Sequence, residues 1–201
     1  MTHSTVSEAT SGQPQVAAVI LAAGASTRFG RCKQLLDWKG KPLLAHVADV
    51  ALEAGLDPVI AVLGCRAEEA YPALGDRPVQ ALINWRWEEG LSTSVQTGLA
   101  AVPPQAEGVL FLQCDQPLIS AGLVRALVER FEESAAMIVH PAHAGRRGTP
   151  VLFARHLFSE LSAASGDEGG RGLIARHAED VAAVEVDDPR VLSDVDTWED
   201  Y

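Results

Sequence analysis

The segment from Leu21 to Lys33 has the composition of a phosphate-binding loop. Where side chains are small, backbone N–H groups can approach phosphate oxygens closely, and hydroxyl and cationic side chains add further donors. The residues that could act in this way are Leu21, Ala22, Ala23, Gly24, Ser26, Arg28 and Lys33. An apolar run precedes them, so the loop is expected at the carboxyl end of a strand, where ligands bind in open α/β sheets. The alternative is a glycine-rich turn with a solvated arginine and lysine.

Two common phosphate-binding fingerprints are absent from this segment. It contains neither GxGxxG nor GxxxxGK[ST]. Their absence argues against a dinucleotide-binding oxidoreductase and against a P-loop NTPase. The loop therefore predicts a triphosphate site of another kind.

Three carboxylates are candidates for a metal site. Asp115 follows the apolar run Val109–Gln113 and stands just before Pro117, so it is expected at a fixed position at a strand end. Asp194 and Asp196 lie two residues apart near the carboxyl terminus, and on an extended segment both would project to one side. Carboxylate oxygens suit Mg²⁺ held between protein and phosphates. The alternatives are a turn before a proline, a helix N-cap at Asp196 and a solvated acidic terminus.

Composition and charge exclude several functional classes. The chain has 201 residues, 47% of them hydrophobic, and a formal net charge of −11, which argues against a nucleic-acid partner. No apolar run approaches the roughly 20 residues of a membrane span, so no membrane partner is expected. The three cysteines form no CxxC pair and indicate reduced thiols in a cytoplasmic protein. Residues 1–15 lack the features of a signal peptide and are expected to form a disordered leader.

Short apolar runs alternate with helical patterns along the rest of the chain. Strands are predicted at Val16–Leu21, Val59–Leu63, Val79–Ile83, Val109–Leu112, Met137–His140, Thr149–Phe153 and Ala183–Val186. Helices are predicted from Pro42 to Gly55 and at Arg66–Leu74, Ser92–Ala101 and Ala121–Glu133. This alternation predicts one α/β domain over residues 16–201, Rossmann-like, with a mostly parallel sheet flanked by helices.

Five motifs in order resemble a known family. LAAGxSxRxGxxK and LLxxxGxPLL are followed by Asn84-x-x-Trp87-x-x-Gly90, then by Cys114-Asp115-Gln116-Pro117, by the loops 145–150 and 166–171, and by Asp194-Val195-Asp196. From Val16 onward the chain resembles the molybdenum cofactor cytidylyltransferases, within the nucleotidyltransferase superfamily and close to the guanylyltransferases. It departs from the family at Thr149, where histidine is usual, and at Trp198, where proline is usual.

The resemblance implies roles for further residues. Ser94 is expected to read the cytosine base, with Gly98 in the same nucleotide site, and Asp115 is expected to bind Mg²⁺, with Asp194 the better second candidate. Arg28, Lys33 and Asp115 are expected to be catalytic. Four residues of the later loops are expected to face the acceptor: Arg147, Gly148, Asp167 and Arg171.

The reaction implied is transfer of CMP from CTP to molybdenum-loaded molybdopterin with release of pyrophosphate. Ala23 and Gln116 are typical of the cytidylyl branch. Guanylyltransferases usually have a glycine at the position of Ala23, and the methyl group of an alanine there can crowd a purine. GTP remains an alternative nucleotide and a phosphosugar an alternative acceptor. The alternative from another class is a non-catalytic factor that carries a nucleotide or pterin to a molybdenum enzyme. A client molybdenum enzyme is expected as a further partner.

Overall fold

The computed structural model describes residues 15–26, 29–167 and 170–195. Three predictions of the sequence therefore lie outside the described residues: the leader up to residue 14, the catalytic Arg28 and the second terminal carboxylate, Asp196.

Most strands of the described chain join one sheet around β1. The strands are β1 (Val16–Ala22), β2 (Asp37–Trp38), β3 (Lys41–Pro42), β4 (Val59–Leu63), β5 (Val79–Ile83), β6 (Gly108–Gln113), β7 (Ile138–His143), β8 (Arg146–Arg147), β9 (Val151–Ala154) and β10 (Val181–Glu185). The order across the sheet is β10-β7-β9-β6-β1-β4-β5, and β8 pairs with β7. β2 and β3 form a separate hairpin.

The four strands β6, β1, β4 and β5 run parallel, whereas β9 runs antiparallel to both of its neighbours, β6 and β7. Within the parallel part, Leu21 is level with Gln113 on β6, and Ala22 is level with Leu63 on β4. The carboxyl ends of three neighbouring strands therefore reach the same edge of the sheet. The prediction of a mostly parallel sheet is confirmed.

Helices cover both faces of the sheet. They are α1 (Leu43–Glu53), α2 (Ala67–Ala70), α3 (Leu91–Leu99), α4 (Ala121–Glu133), α5 (Phe158–Ala163) and α6 (Arg171–Arg176). α1 and α4 pack with Ala18 and Ile20 in one apolar core, and α3 and α5 pack with Val19 in the other. Alternate residues of β1 thus point into opposite cores, which is why the strand is apolar throughout. No helix in the described part of the chain has the length and apolar character needed to cross a membrane.

The predicted bounds of one helix and one loop need correction. The helix predicted over Arg66–Leu74 is only α2, followed by a 3-10 turn at Tyr71–Leu74, because Pro72 lacks the N–H group that an α-helix needs there. The loop expected at 165–172 ends earlier, since α6 begins at Arg171. Helix α5, the β2–β3 hairpin and β8 were not predicted.

Candidate active site

The chain reverses direction across the sheet between β1 and β6. From β1 it continues outward through β4 to β5, and then returns to place β6 on the other side of β1. Such a reversal opens a crevice beyond the carboxyl ends of the two strands, where α/β proteins bind ligands. Leu21 and Gln113 mark these two ends, and the Cys114 N–H donates to the Leu21 carbonyl at 3.3 Å.

A first pocket of about 430 Å³ lies in this crevice. It contains most of the residues predicted to bind the nucleotide: Leu21, Ala22, Ala23, Gly24, Ser26, Lys33, Ser94 and Asp115. Its other wall is formed by residues to which the sequence analysis gave no role: Trp87, Glu88, Gly90, Leu91 and Gln113. A pocket of this volume can hold a molecule of nucleotide size.

The shape of the glycine-rich loop depends on Gln34, a residue the sequence analysis missed. Its side chain is only 4% exposed, and Nε2 donates to the carbonyls of Ala22 at 2.8 Å and Gly24 at 3.1 Å. The thiol of Cys32 donates to Oε1 at 2.9 Å. The glutamine amide thus fixes the path of the loop that lines the pocket. The sequence held no sign of this role, since a glutamine after a lysine is most often solvated.

Lys33 and Asp115 meet across the pocket although 82 residues separate them. Lys33 Nζ lies 3.2 Å from Asp115 Oδ2, and the side chains are 12% and 26% exposed. Such partial burial reduces screening by water, so charges placed here act strongly on a polyanionic ligand. The pair combines a cation for phosphate oxygens with a carboxylate able to hold a hard metal ion.

The thiol next to Asp115 has no chemical role in this arrangement. Cys114 is buried, and burial, with a contribution from the Asp115 carboxylate, raises the pKa of its thiol far above the usual 9.0. The thiol therefore stays protonated and cannot act as a nucleophile near neutral pH.

The amino-terminal half of α3 brings Ser94 to the pocket. The buried Asn84 amide donates to the hydroxyls of Thr93 at 2.9 Å and Ser94 at 3.0 Å, which fixes both side chains. Gly98, one turn further along the helix, is not in the pocket, because it packs on β1, where an added Cβ would collide with the Val19 side chain. Gly98, predicted to bind nucleotide, thus lies outside the first pocket, and the absence of a side chain there permits close helix–sheet packing.

Asp167 lies in the first pocket, not in the acceptor region where the sequence analysis placed it. Its Oδ1 accepts the Leu91 N–H at 3.2 Å, and the Gly166 carbonyl accepts the Ser92 N–H at 3.0 Å. Asp167 thus caps the N-terminus of α3 from a distant loop, where a carboxylate is favoured by the helix dipole. Gly90 allows this approach, since a Cβ there would lie 2.7 Å from Asp167 Oδ1.

A second pocket, of about 420 Å³, adjoins the first. The two share Leu21, Leu91 and Gln113. Three of the residues predicted to face the acceptor, Arg147, Gly148 and Arg171, line the second pocket, together with Arg146, Gln116 and Asp194. Its apolar part includes Val95, Phe111, Phe153, Leu161 and Ile174. Arginines beside apolar surface suit a ligand with an anionic group and a flat or apolar body.

The carboxyl-terminal segment joins the end of β6 at Asp115 and Gln116. The Val195 N–H donates to the Asp115 carbonyl at 2.8 Å, and Gln116 Nε2 donates to Asp194 Oδ1 at 2.7 Å. Within residues 15–26, 29–167 and 170–195, no group of three or more His, Cys, Asp or Glu side chains is arranged to hold a metal ion. A metal bound by Asp115 and Asp194 would need oxygen ligands from substrate and water, which is the usual way that Mg²⁺ binds beside phosphates.

Proteins of known name resemble this chain over much of its length. It is 32% identical to nicotine blue oxidoreductase of Paenarthrobacter nicotinovorans, over 92% of this chain and 94% of that protein. It is also 32% identical to purine catabolism protein PucB of Bacillus subtilis, over 94% and 95%. The molybdenum cofactor guanylyltransferase of Pseudomonas entomophila is 37% identical over 62% of this chain and 64% of that protein.

Solved structures agree with the fold. Rv0371c from Mycobacterium tuberculosis H37Rv has a TM-score of 0.83 and 33% identity, covering 94% of this chain and 97% of that one. A complex of Rv0371c with manganese has a TM-score of 0.76 and 34% identity, over 93% and 96%.

The family model for the MobA-like NTP transferase domain matches residues 18–181, a range that contains the loop of the first pocket, Asp115, and Arg147 and Arg171 of the second pocket. The chain therefore belongs to the MobA-like NTP transferase domain family and is a nucleotidyltransferase.

Proposed function

We propose that the protein transfers CMP from CTP to molybdenum-loaded molybdopterin with release of pyrophosphate. The observation that carries this proposal is the pair of adjoining pockets, one lined by the glycine-rich loop and the Lys33–Asp115 ion pair, the other by arginines. A donor triphosphate and an acceptor phosphate can then meet at the boundary formed by Leu21, Leu91 and Gln113. The similarity to a molybdenum cofactor guanylyltransferase supports this class of acceptor.

The chemistry requires positioning and neutralisation of charge. An oxygen of the acceptor phosphate attacks the α-phosphorus of CTP, a new P–O bond forms, and the α–β phosphoanhydride bond breaks to release pyrophosphate. Lys33 and the loop amides stabilise the charge that develops on the phosphate oxygens, and Arg28 is proposed to share this role. Arg147 and Arg171 hold the acceptor phosphate.

A divalent cation fits the donor set, and Mg²⁺ is the ion proposed. Asp115 and Asp194 would hold it, with Asp196 proposed as a further ligand, and the tie between Val195 and Asp115 supports this pairing. When bound, the ion withdraws charge from the triphosphate. The manganese complex of Rv0371c supports a divalent metal in this family.

The preference for CTP depends on resemblance more than on contacts in the pocket. Ala23 lines the first pocket but is only 5% exposed, so its methyl group offers little surface to a base. Gln116 lines the second pocket and not the first. GTP is therefore the second candidate nucleotide, and the similarity to the guanylyltransferase of Pseudomonas entomophila supports it.

Two alternatives concern the acceptor and the class of function. A phosphosugar could take the place of molybdopterin, since the loop of the first pocket would serve either acceptor. A non-catalytic carrier of nucleotide or pterin would have no need for the Lys33–Asp115 pair. Delivery of the product to a client molybdenum enzyme is proposed as the step that follows transfer.

Pyrophosphate release tests the proposal. The protein is offered CTP, GTP, ATP or UTP with Mg²⁺ and either molybdenum-loaded molybdopterin or glucose 1-phosphate. We expect release with CTP and molybdopterin, abolished in Asp115→Asn and retained in Asp76→Asn, which changes an exposed carboxylate outside both pockets. Release only with GTP would show that GTP, not CTP, is the nucleotide substrate. Release only with glucose 1-phosphate would show that a phosphosugar is the acceptor. No release with any pair of substrates would reject the proposed reaction.

A further inference from the structure

Gln116 lines the second pocket beside the candidate metal carboxylates, yet none of the roles above uses its carbonyl group. The residue is 1% exposed, between the ion-paired Asp115 and Pro117. A polar side chain buried to this degree normally has hydrogen bonds at both ends of its amide. Gln34 follows that rule, since its Nε2 and Oε1 are both satisfied within the glycine-rich loop.

Asp194 determines which way the Gln116 amide points. The Asp194 carboxylate can only accept a hydrogen bond, so the amide atom that lies 2.7 Å from its Oδ1 must be the N–H donor. The opposite orientation would place two oxygens against each other. The carbonyl oxygen of Gln116 is therefore held at the other side of the amide group.

That carbonyl oxygen, Oε1, is buried and has no hydrogen-bond partner among the residues that the structure describes. A buried acceptor without a donor destabilises the folded state. A ligand group that donates to it therefore adds the free energy of one hydrogen bond to binding. The same asymmetry makes such a group selective, because a ligand without the donor leaves it unpaired.

We propose that Gln116 is a specificity-determining residue of the second pocket: Asp194 fixes its amide, and its Oε1 accepts a hydrogen bond from an N–H or O–H group of the acceptor. The inference rests on the proposed function for the identity of the acceptor. It adds that the acceptor carries a donor on its body, in addition to the phosphate that meets Arg147 and Arg171. A purely apolar body would be rejected.

Equilibrium binding of molybdopterin, measured by calorimetry without nucleotide, tests this role in Gln116→Met and Gln116→Leu. We expect the Kd for molybdopterin to rise about tenfold in both variants, the effect of one lost hydrogen bond to a buried group. The Kd for CTP should change less than about twofold, which also shows that the variants are folded. The Tm should stay level or rise, because the substitutions remove an unpaired buried oxygen and Asp194 is exposed enough for water to replace the lost donor.

Gln96→Met is the matched control. The Gln96 amide donates to the carbonyls of Ser162 at 3.1 Å and Ala164 at 2.9 Å and so joins α3 to the end of α5. Its loss should lower the Tm and leave the Kd for molybdopterin unchanged, the reverse of the result for Gln116.

Two outcomes would overturn the inference, and they differ from each other. If the wild-type protein binds molybdopterin and the Gln116 variants bind it equally well, Gln116 does not read the acceptor, while the proposed function stands. If the wild-type protein does not bind molybdopterin, the acceptor proposed above is wrong and the role of Gln116 is rejected with it. A fall in Tm without a change in Kd would assign Gln116 a purely structural role.

Discussion

Lys33 places a positive charge in the first pocket. Its ammonium group lies 3.2 Å from Asp115 and is only 12% exposed, so water cannot replace its effect on a triphosphate. We expect Lys33→Ala to lower kcat/KM about a hundredfold, ~3 kcal/mol, as loss of other preorganised donors does. Initial rates of pyrophosphate release at CTP concentrations well below KM provide the measurement.

Lys41→Ala is the control for this substitution. Lys41 also forms an ion pair, at 2.6 Å from Asp49, but it is 41% exposed and lies outside both pockets. Its replacement should leave kcat/KM unchanged. Equal decreases in kcat/KM in the two variants would show that Lys33 acts only through the net charge of the protein and not through its position in the pocket.

Asp49 makes stability depend on pH. The Arg77 guanidinium, with Lys41, lowers the pKa of this carboxyl below its usual 3.8. Since the folded pKa is the lower one, the stabilisation is fully present above pH 3.8 and is lost as pH falls through the folded value. We expect Asp49→Asn to reduce the free energy of unfolding by about 1 kcal/mol at pH 7. Urea denaturation should show the difference from wild type shrinking below pH 3.8, and a difference that persists at lower pH would contradict the ion-pair explanation.

At the scale of elements, helix α3 sits close to the sheet because Gly98 has no side chain. A Cβ there would collide with Val19 and lie 3.1 Å from a Val62 methyl group. We expect Gly98→Ala to destabilise the protein by about 1–3 kcal/mol through overpacking, despite the better helix propensity of alanine. Displacement of α3 should also raise the Kd for CTP, since the same helix carries Ser94.

Gly122→Ala is the matched helical control for that prediction. Gly122 lies in α4, and the nearest atom to an added Cβ is Ser120 Oγ at 3.7 Å, an ordinary contact. Here the substitution should raise the free energy of unfolding by about 0.5–1 kcal/mol. A stabilising effect at both positions in urea denaturation would mean that α3 tolerates the methyl group.

At the scale of the whole molecule, the carboxyl-terminal segment completes both the candidate metal site and the second pocket. Leu192 packs so closely on Gly148 that a Cβ there would collide with its side chain. Two residues later, Asp194 meets Gln116, and Val195 meets the Asp115 carbonyl. The position of Asp194 therefore depends on docking of this segment against the loop that contains Gly148.

Leu192→Ala tests that dependence. We expect it to cost about 2–3 kcal/mol in stability and to raise the Mg²⁺ concentration required for half-maximal activity. Leu74→Ala, which changes a buried leucine of the core that contains α1 and α4 and lies outside both pockets, should cost a similar free energy of unfolding without changing the Mg²⁺ requirement. If both variants require the same Mg²⁺ concentration, the terminal segment does not contribute to the candidate metal site.

The sequence by itself determined the parts of this protein that depend on local pattern. The apolar run at Val16–Leu21 predicted a strand, and the small residues after it predicted a loop, as the structure shows. The position of Asp115 at the end of β6 followed in the same way, since it comes directly after an apolar run. Periodicity and turn chemistry act over a few residues, so they can be read without a fold.

Only the tertiary structure decided which distant groups meet. Gln34 holds the glycine-rich loop through two backbone carbonyls, Asp167 caps a helix 76 residues away, and Gly98 lets that helix pack closely on the sheet. The two ends of the Gln116 amide differ because Asp194 comes to one of them and no described residue comes to the other. These contacts arise from sheet order and helix docking, which bring together positions that no local spacing in the sequence relates.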